Sequence, residues 1–285
     1  AASFALLVYV SAWLKCHYPD VFAAALLNSQ PMGFYAPAQI VRDAREHGVT
    51  VHGPDINASA WDNRLEADGR ASCALRLGLR QVKGMNELAG RALVEQRPQG
   101  GYVSVVDAWR RSGTGTAPLE ALARADGWRS LGLDRRRAFW AIRALGGNGE
   151  AASGRATATD MPLFSAIPPA PEHQEAAIDL PAESAGETVA NDFAAIRLSL
   201  RHHPLALLRE AMAARRAVPA GDLVHKANGQ RITVCGLVLV RQRPGSASGV
   251  IFMTLEDETG VANVIVWPKT FERFRKVVLA ARMVL

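Results

Sequence analysis

The sequence has little cysteine and no long uninterrupted apolar run. Its three cysteines, Cys16, Cys73 and Cys235, are far apart and form no CxxC pair. That spacing excludes a disulfide-stapled scaffold and a zinc site built on cysteine pairs, and it indicates reduced thiols in a cytoplasmic protein. The uncharged stretch 4–14 is too short to span a bilayer and has no basic flank before it. We therefore predict neither a membrane segment nor a signal peptide.

The motifs of self-contained catalysis are also missing. No GxSxG elbow, Walker loop or ordered Ser-His-Asp set occurs. His202 and His203 are adjacent, so they point apart on a helix, and no cysteine or carboxylate cluster accompanies them. We predict no catalytic residue and no metal ligand in the chain. Because it starts at Ala1 rather than Met and stops inside a strand-like run, we expect a piece of a longer protein.

Charge is present but unevenly distributed. The net charge is +6, yet residues 151–200 hold two Arg against seven Asp and Glu, a net of −5. Residues 201–250 hold eight basic and two acidic residues, a net of +6. A basic body interrupted by an acidic stretch favours a polyanionic partner. The alternative is an Arg-rich but merely solvated surface.

The periodicity predicts a multidomain α plus β chain. Residues 1–60 are mainly helical, 61–148 contain two helix-turn-helix units in tandem, and 188–220 form a helical connector. Residues 149–187 are rich in Gly, Ala, Pro, Ser and Glu, which is typical of a flexible linker. Residues 221–285 change to a period of two.

The first tandem unit centres on Lys83-Gly84-Met85-Asn86, between helical stretches that run from Gln81 to about Gln96. A helix-hairpin-helix binds the nucleic-acid backbone through main-chain N–H groups at the turn, and Gly84 permits close approach to a phosphate. Asn86 replaces the usual second glycine and is expected to tolerate a left-handed conformation. Lys83 and Arg80 are expected to add positive charge. An ordinary helical hairpin remains the alternative.

The second unit turns at Asp126-Gly127, and Arg135, Arg136 and Arg137 crowd its second helix. A solvated face and a DNA contact are equally compatible with this run.

The C-terminal block predicts a partial OB-type β-barrel. Strands are expected at 232–240, 250–256 and 261–267, followed by a helix at 270–277 and a further strand from Val278. Gly236 interrupts the first strand, as a barrel bend requires.

Within this block, Arg241 and Arg243 are predicted to contact phosphate. Phe252 and Trp267 either stack on bases or fill the barrel core, and the alternation leaves both open. Glu256-Asp257-Glu258 is interpreted as a solvated turn.

The acidic linker contains an apolar cassette, Asp160-Met161-Pro162-Leu163-Phe164. Leu163 and Phe164 have no local core to join, so they form a candidate docking peptide. The alternative is that they pack against a neighbouring domain.

Several segments resemble bacterial C-family DNA polymerases across nearly the whole chain. They are residues 1–9, 12–15, 17–19, 54–57, 77–79, 82–84, 119–122, 199–200 and 203–204. Residues 198–204 and the Pro-Leu-Phe cassette resemble the error-prone, damage-inducible branch more than the replicative polymerase III alpha subunit.

The resemblance implies a C-terminal fragment of a DNA-directed DNA polymerase that acts in translesion synthesis. Residues 1–60 would end the fingers region, and the palm carboxylates with their Mg²⁺ would precede Ala1. The implied partners are duplex DNA, single-stranded template, a sliding clamp bound by Leu163 and Phe164, and other mutagenesis proteins. Asp160 stands where the clamp peptide usually begins with Gln. A replicative subunit and a non-enzymatic DNA-binding adaptor remain alternatives.

Overall fold

The computed structural model describes residues 2–33, 35–69, 73–145 and 180–285. They divide into two compact units. The first comprises Ala1–Glu183 and Ala190–Leu200, and the second comprises Ser184–Val189 and Arg201–Leu285. Most of the predicted linker, including Leu163 and Phe164, lies outside the described residues.

The first unit is mainly helical. Its helices are α1 Ala2–His17, α2 Pro19–Asn28, α3 Pro37–Glu46, α4 Glu87–Glu95, α5 Val105–Ser112, α6 Thr116–Arg124 and α7 Arg135–Leu145, and α8 Ala185–Ile196 spans the boundary between units. A small sheet accompanies them, with strands β1 Val51–His52, β2 Arg64–Glu66 and β3 Ala74–Arg76. The strand order is β1-β3-β2, with β1 parallel and β2 antiparallel to the central strand.

The sequence places the helix boundaries by recognisable signals. Pro19 and Pro37 lie in the first turns of α2 and α3, where the missing N–H is not needed. Ser104 caps α5 by accepting a hydrogen bond from the Asp107 N–H at 3.1 Å, and Gly113 ends it in the left-handed region.

One apolar core holds the tandem hairpins together. Trp128 is fully buried with Leu119, Leu122 and Ile142, and its indole N–H donates to the Leu119 carbonyl at 3.4 Å. Full burial of side chains this large stabilises the unit by about 1.5–3 kcal/mol each. The core fixes α6 against α7 and so positions the turns between the helices.

The second unit contains α9, six strands and one packing helix. Its elements are α9 Arg209–Ala214, β4 Ala217–Val218, β5 Thr233–Val234, β6 Gly236–Gln242, β7 Ile251–Asp257, β8 Gly260–Val266, α10 Pro268–Ala280 and β9 Met283–Val284. Strand β4 pairs parallel with β5, and the larger sheet has the antiparallel order β8-β7-β6-β9. This curled four-stranded sheet agrees with the predicted partial barrel.

Three boundaries in this unit differ from the prediction. The strand expected from Val278 starts only at Met283, because α10 continues to Ala280 and buries Val278 in the core. The helical connector expected at 188–220 is interrupted, because after α8 it contains only a 3₁₀ turn at Ala206–Leu208 and the short α9. The strand expected at 232–240 is divided between β5 and β6 at Cys235.

Gly236 stands at that division for a steric reason. A Cβ there would lie 2.6 Å from the Leu255 Cβ, well inside van der Waals contact. Only glycine therefore lets β6 approach β7 at this point.

Candidate nucleic-acid interface

The Gly84 turn links a 3₁₀ turn at Leu79–Gln81 to α4. The helix expected before this turn is therefore a single 3₁₀ turn. Gly84 is exposed and has a φ of +89°, a conformation that favours glycine. The Lys83 N–H donates to the Ala195 carbonyl at 2.8 Å, so α8 anchors the turn and this amide is not available to a ligand.

Four nearby main-chain N–H groups have no hydrogen-bond partner in the described part of the chain. They belong to Gly84, Asn86, Glu87 and Leu88. Unpaired amides at the start of a helix, together with the helix dipole, attract an anion. The Glu87 carboxylate opposes this locally, but it is paired with Arg91 at 2.8 Å. The segment can therefore donate several hydrogen bonds to a phosphate.

Asn86 has a different role from the one predicted. Its φ of −88° and ψ of 155° are extended, so the left-handed conformation expected for it is wrong. Its side chain caps α4 by accepting a hydrogen bond from the Ala89 N–H at 2.8 Å. Asn is a preferred N-cap, so the sequence carried this signal. Asn86 fixes the helix start whose free amides face solvent.

The two basic residues of the turn are in different environments. Arg80 donates to Asp62 at 2.6 Å, to the Asn28 carbonyl at 3.0 Å and to the Gln30 carbonyl at 3.2 Å. These contacts give Arg80 a structural role at the end of α2. Lys83 is exposed, and no carboxylate of the described residues is within ion-pair distance of it. Lys83 is therefore the cation available beside Gly84.

Leu88 was not selected from the sequence. It lies on the first turn of α4 with 84% of its surface exposed. An apolar side chain beside exposed amides can pack against a sugar once a backbone is bound. An isolated Leu in a helix pattern gives no signal of this exposure.

The three arginines of the second hairpin are in different environments, and Arg137 is exposed and pairs with Asp134. Arg135 is buried, donates to the Arg124 carbonyl at 2.7 Å and forms ion pairs with Asp192, at 2.6 Å, and with Glu183. Arg135 is therefore neither part of a solvated face nor available to contact DNA. Arg136 donates to the Pro181 carbonyl.

The OB sheet resolves the ambiguity over its aromatic residues. Ile251, Met253 and Leu255 of β7 are buried, whereas Phe252 is 41% exposed on the other face. Trp267, directly after β8, is 63% exposed. The core alternative for the two aromatic residues is therefore wrong.

Phe252 belongs to a surface across three strands, which we call the outer face, and Trp267 comes directly after one of these strands. In the register, Phe252 lies between Gln242 of β6 and Ile265 of β8, and Ile265 is 51% exposed. An exposed aromatic and aliphatic row beside a polar amide is suited to stacking with unpaired bases.

Arg241 lies on the opposite face of the same sheet. It pairs with Met253, so the alternation directs it away from Phe252. Its Nε and Nη2 atoms are buried and have no hydrogen-bond partner. The Arg243 guanidinium lies over the Phe271 ring, 5.4 Å from its centroid. The structure thus separates the two predicted arginines from the exposed rings.

The acidic turn after β7 is partly buried, so its interpretation as a solvated cluster is wrong. Arg209 contacts Asp257 at 2.9 Å and also pairs with Glu258. Burial alone would raise the pKa of Asp257, but hydrogen bonds from Thr259 and the Ala220 N–H outweigh it and hold that pKa below its usual value. A hydrogen bond from Arg209 lowers the pKa of Glu258. The turn is a structural anchor.

Among the described residues, no group of three or more His, Cys, Asp or Glu side chains is arranged to hold a metal ion. None of the helices in the described ranges combines the length and apolarity needed to cross a bilayer.

Comparison with known proteins agrees with both folds. Residues 48–138 match the helix-hairpin-helix motif, and residues 232–284 match the OB-fold nucleic acid binding domain. From end to end, the chain is about half identical to bacterial error-prone DNA polymerases. The resemblance stated from the sequence is confirmed.

Three relatives illustrate the extent of the match. The chain is 49% identical to error-prone DNA polymerase 1 of Rhizobium meliloti, 50% to that of Brucella abortus and 49% to that of Ruegeria pomeroyi, over 100%, 100% and 99% of its length. It spans 26%, 25% and 24% of those proteins. The chain therefore corresponds to about a quarter of an error-prone polymerase.

Proposed function

We propose that this chain is the DNA-holding, C-terminal part of an error-prone, DNA-directed DNA polymerase that acts in damage-induced mutagenesis. The observation that carries the proposal is the set of unpaired amides around Gly84, within a region that matches the helix-hairpin-helix motif. The chain binds DNA, and nucleotidyl transfer takes place in the rest of the protein. Mg²⁺ is assigned to the carboxylates of that other part, and no residue of this chain is assigned to it.

The Gly84 turn is the proposed contact with duplex DNA. Its amides donate to one phosphate, while Lys83 adds an exposed charge without a competing carboxylate. Such contacts position the duplex but carry no base information. A polymerase must bind every sequence equally, so a backbone contact of this type is appropriate.

The outer face of the OB sheet is the proposed contact with the single-stranded template. Phe252 and Trp267 expose their rings, and stacking accepts any base because every base has a π face. Arg241 is the penultimate residue of β6 and Arg243 directly follows that strand, and both are proposed to contact phosphate at this end of the strand and not on the outer face itself.

Further partners belong to the same proposal. Leu163 and Phe164 are proposed to bind a sliding clamp, and other mutagenesis proteins are proposed to join the complex. The relatives are bacterial, and a DNA polymerase of a bacterium works in the cytoplasm, which is the location we propose.

Binding of the 285-residue chain to labelled oligonucleotides tests the proposal. Fluorescence anisotropy should show affinity for duplex and for single strands that falls as salt increases, because each phosphate contact releases counterions. Lys83→Gln should weaken duplex binding, and Phe252→Leu should weaken single-strand binding. A chain without salt-dependent affinity for either probe would refute the proposal, as would nucleotide incorporation by this chain alone on a primed template.

A further inference from the structure

A cavity of about 220 Å³ lies between α10 and the ends of β6 and β7. Three arginines line it: Arg241 and Arg243 from β6 and the segment after it, and Arg275 from α10. Its apolar wall includes Phe271 and Val278. The cavity is smaller than the ~300–1,000 Å³ of sites that enclose a drug-sized molecule. Its size and charge suit a small anion.

The arginines are not satisfied by the protein itself. The Nε and Nη2 atoms of Arg241 are buried without a hydrogen-bond partner. Among the described residues, no carboxylate pairs with Arg241, Arg243 or Arg275. A buried polar atom without a partner costs about 1–3 kcal/mol, and more when it is charged. An anion in the cavity would remove that cost.

The aromatic wall holds two of the three arginines in place. The Arg243 and Arg275 guanidinium groups lie 5.4 Å and 5.7 Å from the centroid of the Phe271 ring. Contact of a guanidinium with an aromatic ring orients it without using its N–H donors. The donors therefore remain free for a phosphate, which arginine binds through two parallel hydrogen bonds.

We propose that this cavity is a phosphate-binding site formed by Arg241, Arg243 and Arg275. The inference rests on the proposed DNA-binding function, in which the phosphate belongs to the strand on the outer face. Gln242, which pairs with Phe252 in the strand register, also lines the cavity. Ile251, which directly precedes Phe252, lines it as well. A strand with bases on Phe252 can therefore place a backbone phosphate at the sheet edge. Free pyrophosphate has the same chemistry.

Two variants of α10 test the assignment. Arg275→Gln removes one cavity charge, whereas Arg273→Gln removes an equal charge two residues away, where the guanidinium lies over Phe274 and outside the cavity lining. Both side chains are exposed, so both variants should fold, which circular dichroism checks. Arg275→Lys retains the charge and should restore part of the binding.

The phosphate in the cavity can come from a DNA backbone or from free pyrophosphate. Anisotropy with an oligothymidylate tests the first source, and calorimetry with inorganic pyrophosphate tests the second. For a backbone phosphate, Arg275→Gln weakens oligothymidylate binding about tenfold, and the slope of log affinity against log salt falls by about 0.7. For a free phosphate, only pyrophosphate binding is lost. Equal effects of both Gln variants, or no effect of Arg275→Gln on either probe, overturn the site. If Phe252→Leu still weakens the oligothymidylate complex in that case, the proposed function stands without the site.

Discussion

Replacement of Gly84 by Ala separates backbone strain from phosphate contact. At a φ of +89°, an L-residue costs about 1–2 kcal/mol relative to its usual conformation. The new methyl would lie 3.7 Å from the Ala121 Cβ, an ordinary contact, so no steric term is added within the protein. For a unit of this size, that cost lowers the melting temperature by about 2–4 °C per kcal/mol.

The effect on DNA has a separate origin. We expect the backbone change that relieves the strain of the added methyl to move the Gly84 and Asn86 N–H groups away from a bound phosphate. Loss of one hydrogen bond to a charged oxygen costs about 1.5–3 kcal/mol, or roughly 10–150-fold in affinity. Duplex binding measured by anisotropy, well below the melting temperature, should fall by this factor.

Gly132→Ala is the matched control. Gly132 has a φ of +73° and nothing within 4 Å of the added Cβ, so its strain is similar. It follows the 3₁₀ turn at Arg129–Leu131, away in sequence from the free amides of α4. The control should lose stability and keep its duplex affinity. Equal losses of affinity in both variants would show that the Gly84 amides do not contact phosphate.

Three further predictions concern other parts of the molecule. Phe252→Leu should weaken single-strand binding by about 1–3 kcal/mol with little change in urea stability, because the exposed ring contributes stacking, whereas Phe252→Tyr should retain binding. Arg135→Met should lower the free energy of unfolding by about 3–5 kcal/mol, because it removes the buried guanidinium that pairs with Asp192 and Glu183. Arg137→Met at an exposed pair should cost less than about 1 kcal/mol in the same urea titration. Arg209→Met should lower the free energy of unfolding of the second unit at pH 7. The difference in this free energy between variant and wild type should shrink as pH falls through the depressed pKa of Asp257, because a carboxyl with a lowered pKa stabilises the fold only while it is ionised. Urea unfolding at several pH values measures this, and a difference that grows towards acid pH would contradict the assignment.

The sequence predicted the order of domains because local signals dominate there. The change from a helical period to a period of two locates the OB sheet, and Pro19, Ser104 and Gly113 place helix ends by backbone chemistry. Gly84 was identified because glycine in a turn lets a phosphate approach the backbone closely, and the structure adds that its φ is positive. These are properties of a few neighbouring residues, so one sequence is sufficient to find them.

Side-chain partners were less predictable. Arg80 and Arg135 were both included among candidate DNA contacts or basic surfaces, yet each has carboxylate partners at least 18 residues away in sequence. Pairing at that separation depends on tertiary structure. Charge count alone therefore overestimates the surface that a polyanion can use.

The sequence predicted Arg241 as a phosphate contact but did not identify Arg275, and neither the sheet face of Arg241 nor its proximity to Arg275 could be read from the sequence. A period of two places Arg241 opposite Phe252, so a residue selected as a companion of the rings faces α10 instead. That helix supplies Arg275, whose relation to Arg241 depends on how α10 packs on the sheet. The chain has 33 Lys and Arg residues, so positive charge alone does not identify a phosphate site. A buried arginine that has no carboxylate partner does, because its buried N–H groups need an acceptor. The unpaired guanidinium of Arg241 therefore says more about phosphate binding than the charge of the surrounding sequence.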